Sequence, residues 1–439
     1  MIIAKRLKGK AIAAWLGPTG EAARRAIADV RGKLKKEPSK LELYFDIADP
    51  WSYLAAQAAS RLIDAYPVDF AFHPITPPAS DVNAHPELRT KHAVRDAQQL
   101  ADYWDIEFAG KKEADPGAVR EVASALIRER PAKDQLRCAI ELSQALWSHD
   151  RKKLAKHLGT WGTESTNSVL PILNENYGEL RKSGHYQGAM LRYGGEWYWS
   201  IDRLPHLETV LARDFHVDVA HVVTPKPETE RGPRALSEKP ATPLPLEMWF
   251  SFRSPYSYLA LEQIESIIAP YDVTLQLRPI MPMVTRGVPL PNVKRMYIVR
   301  DAKREADRAN IPFGELCDPL GTGIENCVAI SHWAAQRSQA DLLAFAKSAM
   351  RGIWSEAHDV SEYVDLRTIV ERANLPWAEA KDALGNPDAI KWATAAATDL
   401  QVIGLWGVPS FRIGDFVAWG QDRLPMLADR LRRHKSASK

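Results

Sequence analysis

Leu246-Glu247-Met248-Trp249-Phe250, followed by Ser254-Pro255-Tyr256-Ser257-Tyr258-Leu259-Ala260, is a strand running into a helix. The first five residues are mostly aromatic or large and apolar, as a half-buried or buried strand requires. Ser-Pro is a helix-start pair, with a capping hydroxyl ahead of a proline in the first turn. Apolar residues three or four apart then carry a helix to Ile268. The same text occurs earlier, as Leu41-Glu42-Leu43-Tyr44-Phe45 and Pro50-Trp51-Ser52-Tyr53-Leu54-Ala55. The offset of 205 from Leu41 to Leu246 holds without a gap through His73-Pro74-Ile75 and Arg278-Pro279-Ile280, and through Val94-Arg95-Asp96 and Val299-Arg300-Asp301, to Phe108 and Phe313. Gly184 to Leu204 then matches Gly404 to Leu424 at an offset of 220, sharing Trp199 with Trp419 and Asp202-Arg203-Leu204 with Asp422-Arg423-Leu424. Self-similarity that keeps register over such lengths marks a repeated structural unit.

The remaining pattern completes each unit. Thr274 to Leu277 reads as a second strand, Leu342 to Arg351 and Val364 to Ala373 as helices, and Phe411 to Ile413 with Phe416 to Trp419 as a hairpin turning at Gly414-Asp415. The difference between the two offsets gives the second copy 15 extra residues in its helical middle. The expected architecture is α/β: two tandem units, each a central mixed sheet with a helical insertion. The boundaries are an N-terminal extension over 1–38, a first domain over 39–222, a Pro- and Lys-rich linker over 223–244 and a second domain over 245–432.

The chain has 439 residues, 45% hydrophobic and 26% charged, enough to bury two cores. A net charge of +3 gives no electrostatic footprint for nucleic acid and points instead to a small-molecule substrate. Cys138, Cys317 and Cys327 form neither a CxxC pair nor a metal-ligand pattern, so neither disulfide exchange nor a metal site is expected, and a reducing, cytoplasmic compartment fits. The basic start Lys5, Arg6, Lys8 and Lys10 precedes an apolar patch, Ala11 to Leu16, that is too short for a membrane span. No integral membrane segment is expected downstream.

The chemistry is expected at Ser254-Pro255-Tyr256-Ser257. Backbone N–H groups and the helix dipole converge there on an anion. A serine hydroxyl at that corner can donate to a bound thiolate and lower the pKa of a thiol from about 8.5. It can equally be a plain helix N-cap. The residues alone leave both roles open.

These motifs, in this order, carry a resemblance: Ser254 to Ala260 after a strand ending in Phe250, Lys294 and Tyr297 ahead of Arg300-Asp301, Gly407-Val408-Pro409-Ser410-Phe411, and Trp419-Gly420-Gln421-Asp422-Arg423-Leu424. Together they resemble the DsbA-type thioredoxin-like branch that holds kappa-class glutathione transferases and 2-hydroxychromene-2-carboxylate isomerases. The resemblance implies a thioredoxin-like fold for each unit and glutathione as cofactor. Ser254 would hold the glutathione sulfur, Pro409 would be a cis-proline, Val408 would present backbone to the cysteinyl part, Gln421 and Asp422 would take the γ-glutamyl end, and Lys294 would face a carboxylate. Two positions depart from the branch. Ser251 stands where an acidic residue is usual, and the loop after Pro279 lacks the usual Gly-rich, Asn-containing stretch.

The first copy has departed further: Asp49 stands for Ser254, Ala189 for Pro409, Gly188 for Val408, Ile201 for Gln421 and Arg89 for Lys294. It is expected to be a degenerate, structural or regulatory copy. The implied reaction in the second is glutathione-dependent isomerisation of an unsaturated, aromatic-derived acid, or its conjugation. The alternative is a non-catalytic thioredoxin-fold binding or scaffold protein. Relatives of this branch are typically homodimers, so the fusion reads as an intrachain pseudo-dimer, with further homo-oligomerisation left open.

Overall fold

The computed structural model describes residues 12–27 except 18, 21 and 25, then 40–231 and 243–437. These divide into two compact units. In the first, β1 (Leu41–Asp46), a helix (Pro50–Ala65) and β2 (Phe70–Ile75) are followed by helices Pro86–Tyr103, Pro116–Leu126, Ala132–Trp147, Arg151–Trp161 and Thr166–Lys182. The hairpin β3 (Met190–Tyr193) and β4 (Glu196–Trp199) and the helix Leu204–Phe215 close it. The sheet order is β2-β1-β3-β4, with β1 and β2 parallel and the other pairs antiparallel. β1 is almost wholly buried, as a central strand must be when helices cover its sheet.

The second unit has β5 (Leu244–Phe250), a helix (Pro255–Ile268) and β6 (Val273–Pro279), then helices Asn292–Arg308, Thr322–Arg337, Gln339–Ser355, Tyr363–Arg372, Trp377–Asp382 and Pro387–Val402. The hairpin β7 (Ser410–Ile413) and β8 (Phe416–Trp419) and the helix Leu424–Ala437 complete it. Its order, β6-β5-β7-β8, is that of the first sheet. The pairing also follows the sequence offsets: Leu41 faces Phe70 and Leu246 faces Leu275, Glu42 faces Arg192 and Glu247 faces Arg412, Met190 faces Trp199 and Ser410 faces Trp419. One charged clamp is common to both sheets. Glu42 accepts from Arg192 at 2.9 Å, and Glu247 pairs with Arg412 and, at 2.5 Å, with Arg278. The short helix Trp377–Asp382 lies in the stretch where the second unit is longer.

The expected linker is partly a fixed structure. Asp105 N donates to Thr224 O at 2.8 Å and Lys226 N to Tyr103 O at 2.9 Å, so its first residues lie against the first unit. Leu244 already belongs to β5, and residues 232–242 lie outside the described residues. Of the expected extension, residues 12–16 are helical. Leu16 is buried, and the Arg300 guanidinium lies 5.9 Å from the Trp15 ring centroid. Residues 1–11 and 28–38 lie outside the described residues.

Candidate functional site

Strand direction gathers the site. Parallel β5 and β6 end together, β7 begins there and β8 ends there, as the pairs Phe250–Pro279, Trp249–Ser410 and Ser410–Trp419 show. The connections 251–254, 280–291, 406–409 and 420–423 therefore meet at one edge of the second sheet, the position where open α/β sheets place ligands.

Ser254 caps the helix Pro255–Ile268. Its Oγ accepts from Ser257 N at 3.2 Å and donates to Val408 O at 3.3 Å. Val408–Pro409 is a cis peptide bond, the form that the resemblance implies. Gly407 has no room for a side chain, because a Cβ there would lie 2.4 Å from the Trp419 indole. Gly420 N donates to Pro409 O at 2.9 Å, which ties the turn Gln421–Arg423 to the proline loop. Ser254, Val408, Pro409, Gln421 and Asp422 thus form one connected group.

Gln421 is buried, and its Nε2 donates to Asp422 Oδ1 at 2.5 Å and to Glu305 Oε2 at 3.1 Å. Glu305, itself 2% exposed, also pairs with Arg308 at 2.7 Å. Sequence reading missed this carboxylate. Its signal lies in the repeat: Glu305 and Gln421 correspond to Leu100 and Ile201, an apolar pair buried in the first unit. The polar pair is therefore present or absent as a pair, as expected of groups that satisfy each other in a low dielectric.

Lys294 lies in the first turn of the helix Asn292–Arg308 and is half-buried. It is not a partner of the Ser254 hydroxyl, whose bonds go to Ser257 and Val408. Its equivalent in the first unit, Arg89, reaches the equivalent of Ser254, with Nη2 at 3.1 Å from Asp49 Oδ2. Of the aromatic residues near the corner, Trp249 and Tyr258 are fully buried core. Tyr256 donates to the buried Asp301 at 2.7 Å, and Trp406 packs on Trp419 at 4.8 Å between ring centroids.

The matching corner of the first unit carries its own anion. Asp49 caps the helix Pro50–Ala65, accepting from Trp51 N at 3.1 Å, and pairs with Arg89, which also lies over the Trp51 ring. Asp46, at the register position of Ser251, accepts from Ala48 N at 3.0 Å. Both aspartates are 2% exposed. Burial, reinforced by the charge of Asp49 and opposed by Arg89, pushes Asp46 up to about 7. Burial also pushes Asp49 above the usual carboxylate range, against the pull of Arg89. A Cβ on Gly188 would lie 2.6 Å from Asp46 Cβ and 3.1 Å from Ser52 Oγ, so the loop that corresponds to Val408 is pressed onto the start of the Asp46 side chain.

All three cysteines are buried and free. Burial pushes the Cys138 thiol up to about 12 and raises Cys327 as well, the reverse of what a thiolate nucleophile needs. Among the described residues no cluster of three metal-ligating side chains occurs, and no helix is long and apolar enough to cross a membrane.

The DSBA-like thioredoxin domain family matches residues 245–432. A 2-hydroxychromene-2-carboxylate isomerase from Sphingobium xenophagum is 27% identical over 195 residues, 42% of this chain and 95% of the relative. Among solved structures, a 2-hydroxychromene-2-carboxylate isomerase aligns at a TM-score of 0.39 and 21% identity, covering 45% of this chain and 100% of its own. A probable DsbA oxidoreductase from Streptomyces coelicolor aligns at a TM-score of 0.37 and 16% identity, covering 44% and 90%. Residues 245–432 form a DSBA-like thioredoxin domain, and the chain is homologous to 2-hydroxychromene-2-carboxylate isomerase over somewhat less than half its length.

Proposed function

We propose that the second unit is a glutathione-dependent isomerase or transferase acting on an unsaturated, aromatic-derived small molecule. The observation that carries this reading is the Ser254 hydroxyl, held between a helix N-terminus and the carbonyl that precedes the cis-proline. That hydroxyl has a single proton, given at 3.3 Å to Val408 O. Rotation redirects it to a thiolate, while the helix N–H groups add to the positive potential. On this reading Ser254 takes the glutathione sulfur, Val408 the cysteinyl backbone, Gln421 and Asp422 the ammonium-bearing γ-glutamyl end, and Lys294 a carboxylate, the roles that the resemblance implies. Bound glutathione would supply a nucleophilic thiol that adds reversibly to a double bond conjugated with a carbonyl, permitting rotation about that bond before the thiol leaves. Ser254 lowers the cost of the anion, Gln421 and Glu305 fix Asp422, and the buried Trp406, packed on the partly buried Trp419, backs the corner with apolar surface.

The two units, on this reading, arose by tandem duplication, and the first has exchanged its external anion for Asp49. Three buried free thiols and no CxxC pair, together with the need for reduced glutathione, fit a reducing, cytoplasmic compartment. The buried Ser251, in place of an acid, favours the second reading, a non-catalytic binding protein.

The two readings divide on one assay, 2-hydroxychromene-2-carboxylate with the full chain in the presence and absence of glutathione. Turnover that requires glutathione without consuming it supports an isomerase, and turnover that consumes it supports a transferase. Turnover at the same rate without glutathione contradicts the cofactor assignment.

A further inference from the structure

The loop after β6 carries a cation to which the described residues supply no counter-ion. Arg286 ends the short turn Met283–Arg286, where its Nε donates to Met281 O at 3.0 Å and its Nη2 to Trp406 O at 3.1 Å. Among the described residues no carboxylate stands within ion-pair distance of it, and burial alone pulls its pKa below the usual arginine range. Two carbonyl bonds leave the rest of the guanidinium fork without an acceptor. A partly desolvated cation of this kind is stabilised when a ligand brings the missing charge.

Its place follows from the sheet. The order β6-β5-β7-β8 sets the site segments in a row: the loop of Arg286, then Ser254, then Val408, then Gln421 and Asp422. Trp406, which anchors Arg286, lies two residues from Val408, which receives the Ser254 hydroxyl. The sulfur position is therefore central, with the amide and carboxylate of Gln421 and Asp422 on one flank and an uncompensated guanidinium on the other. The register equivalent in the first unit is Asp81, of opposite charge and paired with Arg181 at 2.7 Å.

We propose that Arg286 is the receptor for a carboxylate of the ligand seated at Ser254, on the flank away from Gln421 and Asp422. The assignment rests on the glutathione reading above. The carboxylate belongs either to the glycyl end of glutathione or to the second substrate.

Calorimetric titrations of the full chain separate these sources, using glutathione against its glycyl ethyl ester, and cinnamate against cinnamamide. If the glycyl carboxylate is the ligand, esterification and Arg286→Gln each weaken glutathione about tenfold or more, and together no further. If the second substrate supplies it, glutathione is unaffected. Cinnamate then binds about tenfold or more tighter than cinnamamide, and Arg286→Gln abolishes the difference. Arg286→Lys keeps part of either preference, because the charge remains while the planar fork is lost. Absence of a carboxylate preference in both pairs with the wild-type protein overturns the proposal, and this result needs no variant to fold. Failure of the wild type to bind glutathione overturns the glutathione reading instead, and the cinnamate pair then judges Arg286 separately.

Discussion

Replacing Ser254 by alanine should raise the pKa of glutathione's thiol in the complex by about one to two units, with about 10- to 100-fold less thiolate at neutral pH. Turnover at neutral pH should fall by a similar factor and recover as the pH is raised. The hydroxyl contributes to the anion and not to the γ-glutamyl end, so glutathione affinity at a pH where the thiol stays protonated should change little. Lost capping of the helix Pro255–Ile268 adds a stability cost of about 1 kcal/mol, too small to unfold the unit. Thiolate absorbance followed against pH, with wild type and Ser254→Ala saturated with glutathione, separates the two effects. An unchanged thiol pKa would leave Ser254 as a helix cap and nothing more.

The largest effect on stability is expected in the first unit. Arg89→Met leaves Asp49 in a buried site with no cation, which should cost about 3–5 kcal/mol, as for other broken buried pairs. The pH dependence has a definite sign. Asp46 is raised to about 7 in the folded chain from an ordinary 3.8, so between those values the folded chain holds a proton that the unfolded chain has released. Stability supplied by that proton is fully present below about pH 4, falls as the pH rises, and is gone above about 7. Asp46→Asn should remove this slope and stabilise the unit at pH 8 by about 1–3 kcal/mol. Urea unfolding of wild type and Asp46→Asn at pH 5 and pH 8 checks it; a wild type more stable at pH 8 than at pH 5 through this unit would contradict it.

The strands and the corner were legible because they rest on local chemistry. Ser254-Pro255 and Asp49-Pro50 announce helix starts, and the register of Glu42 with Arg192 and of Glu247 with Arg412 follows from the repeat offsets. Glu305 and Arg286 were not legible, since their partners Gln421 and Trp406 lie 116 and 120 residues away in sequence. Helical periodicity puts Glu305 on a buried face without saying what satisfies it. Only the exchange of Glu305 and Gln421 for Leu100 and Ile201 between the units encodes that pairing. Asp46 was hidden in a similar way, because the acid that the resemblance expects at Ser251 is found at the same register in the other unit. The first residues of the linker read as exposed from composition, yet backbone bonds to Tyr103 and Asp105 hold them, and composition carries no information about such bonds.

Calorimetric titration of glutathione into the full chain tests the central assignment most directly. The account predicts saturable binding at one site per chain, weakened about tenfold or more by Asp422→Ala through loss of a charge-assisted contact and unaffected by Asp46→Asn. No binding at millimolar glutathione, or binding indifferent to Asp422→Ala, would contradict it.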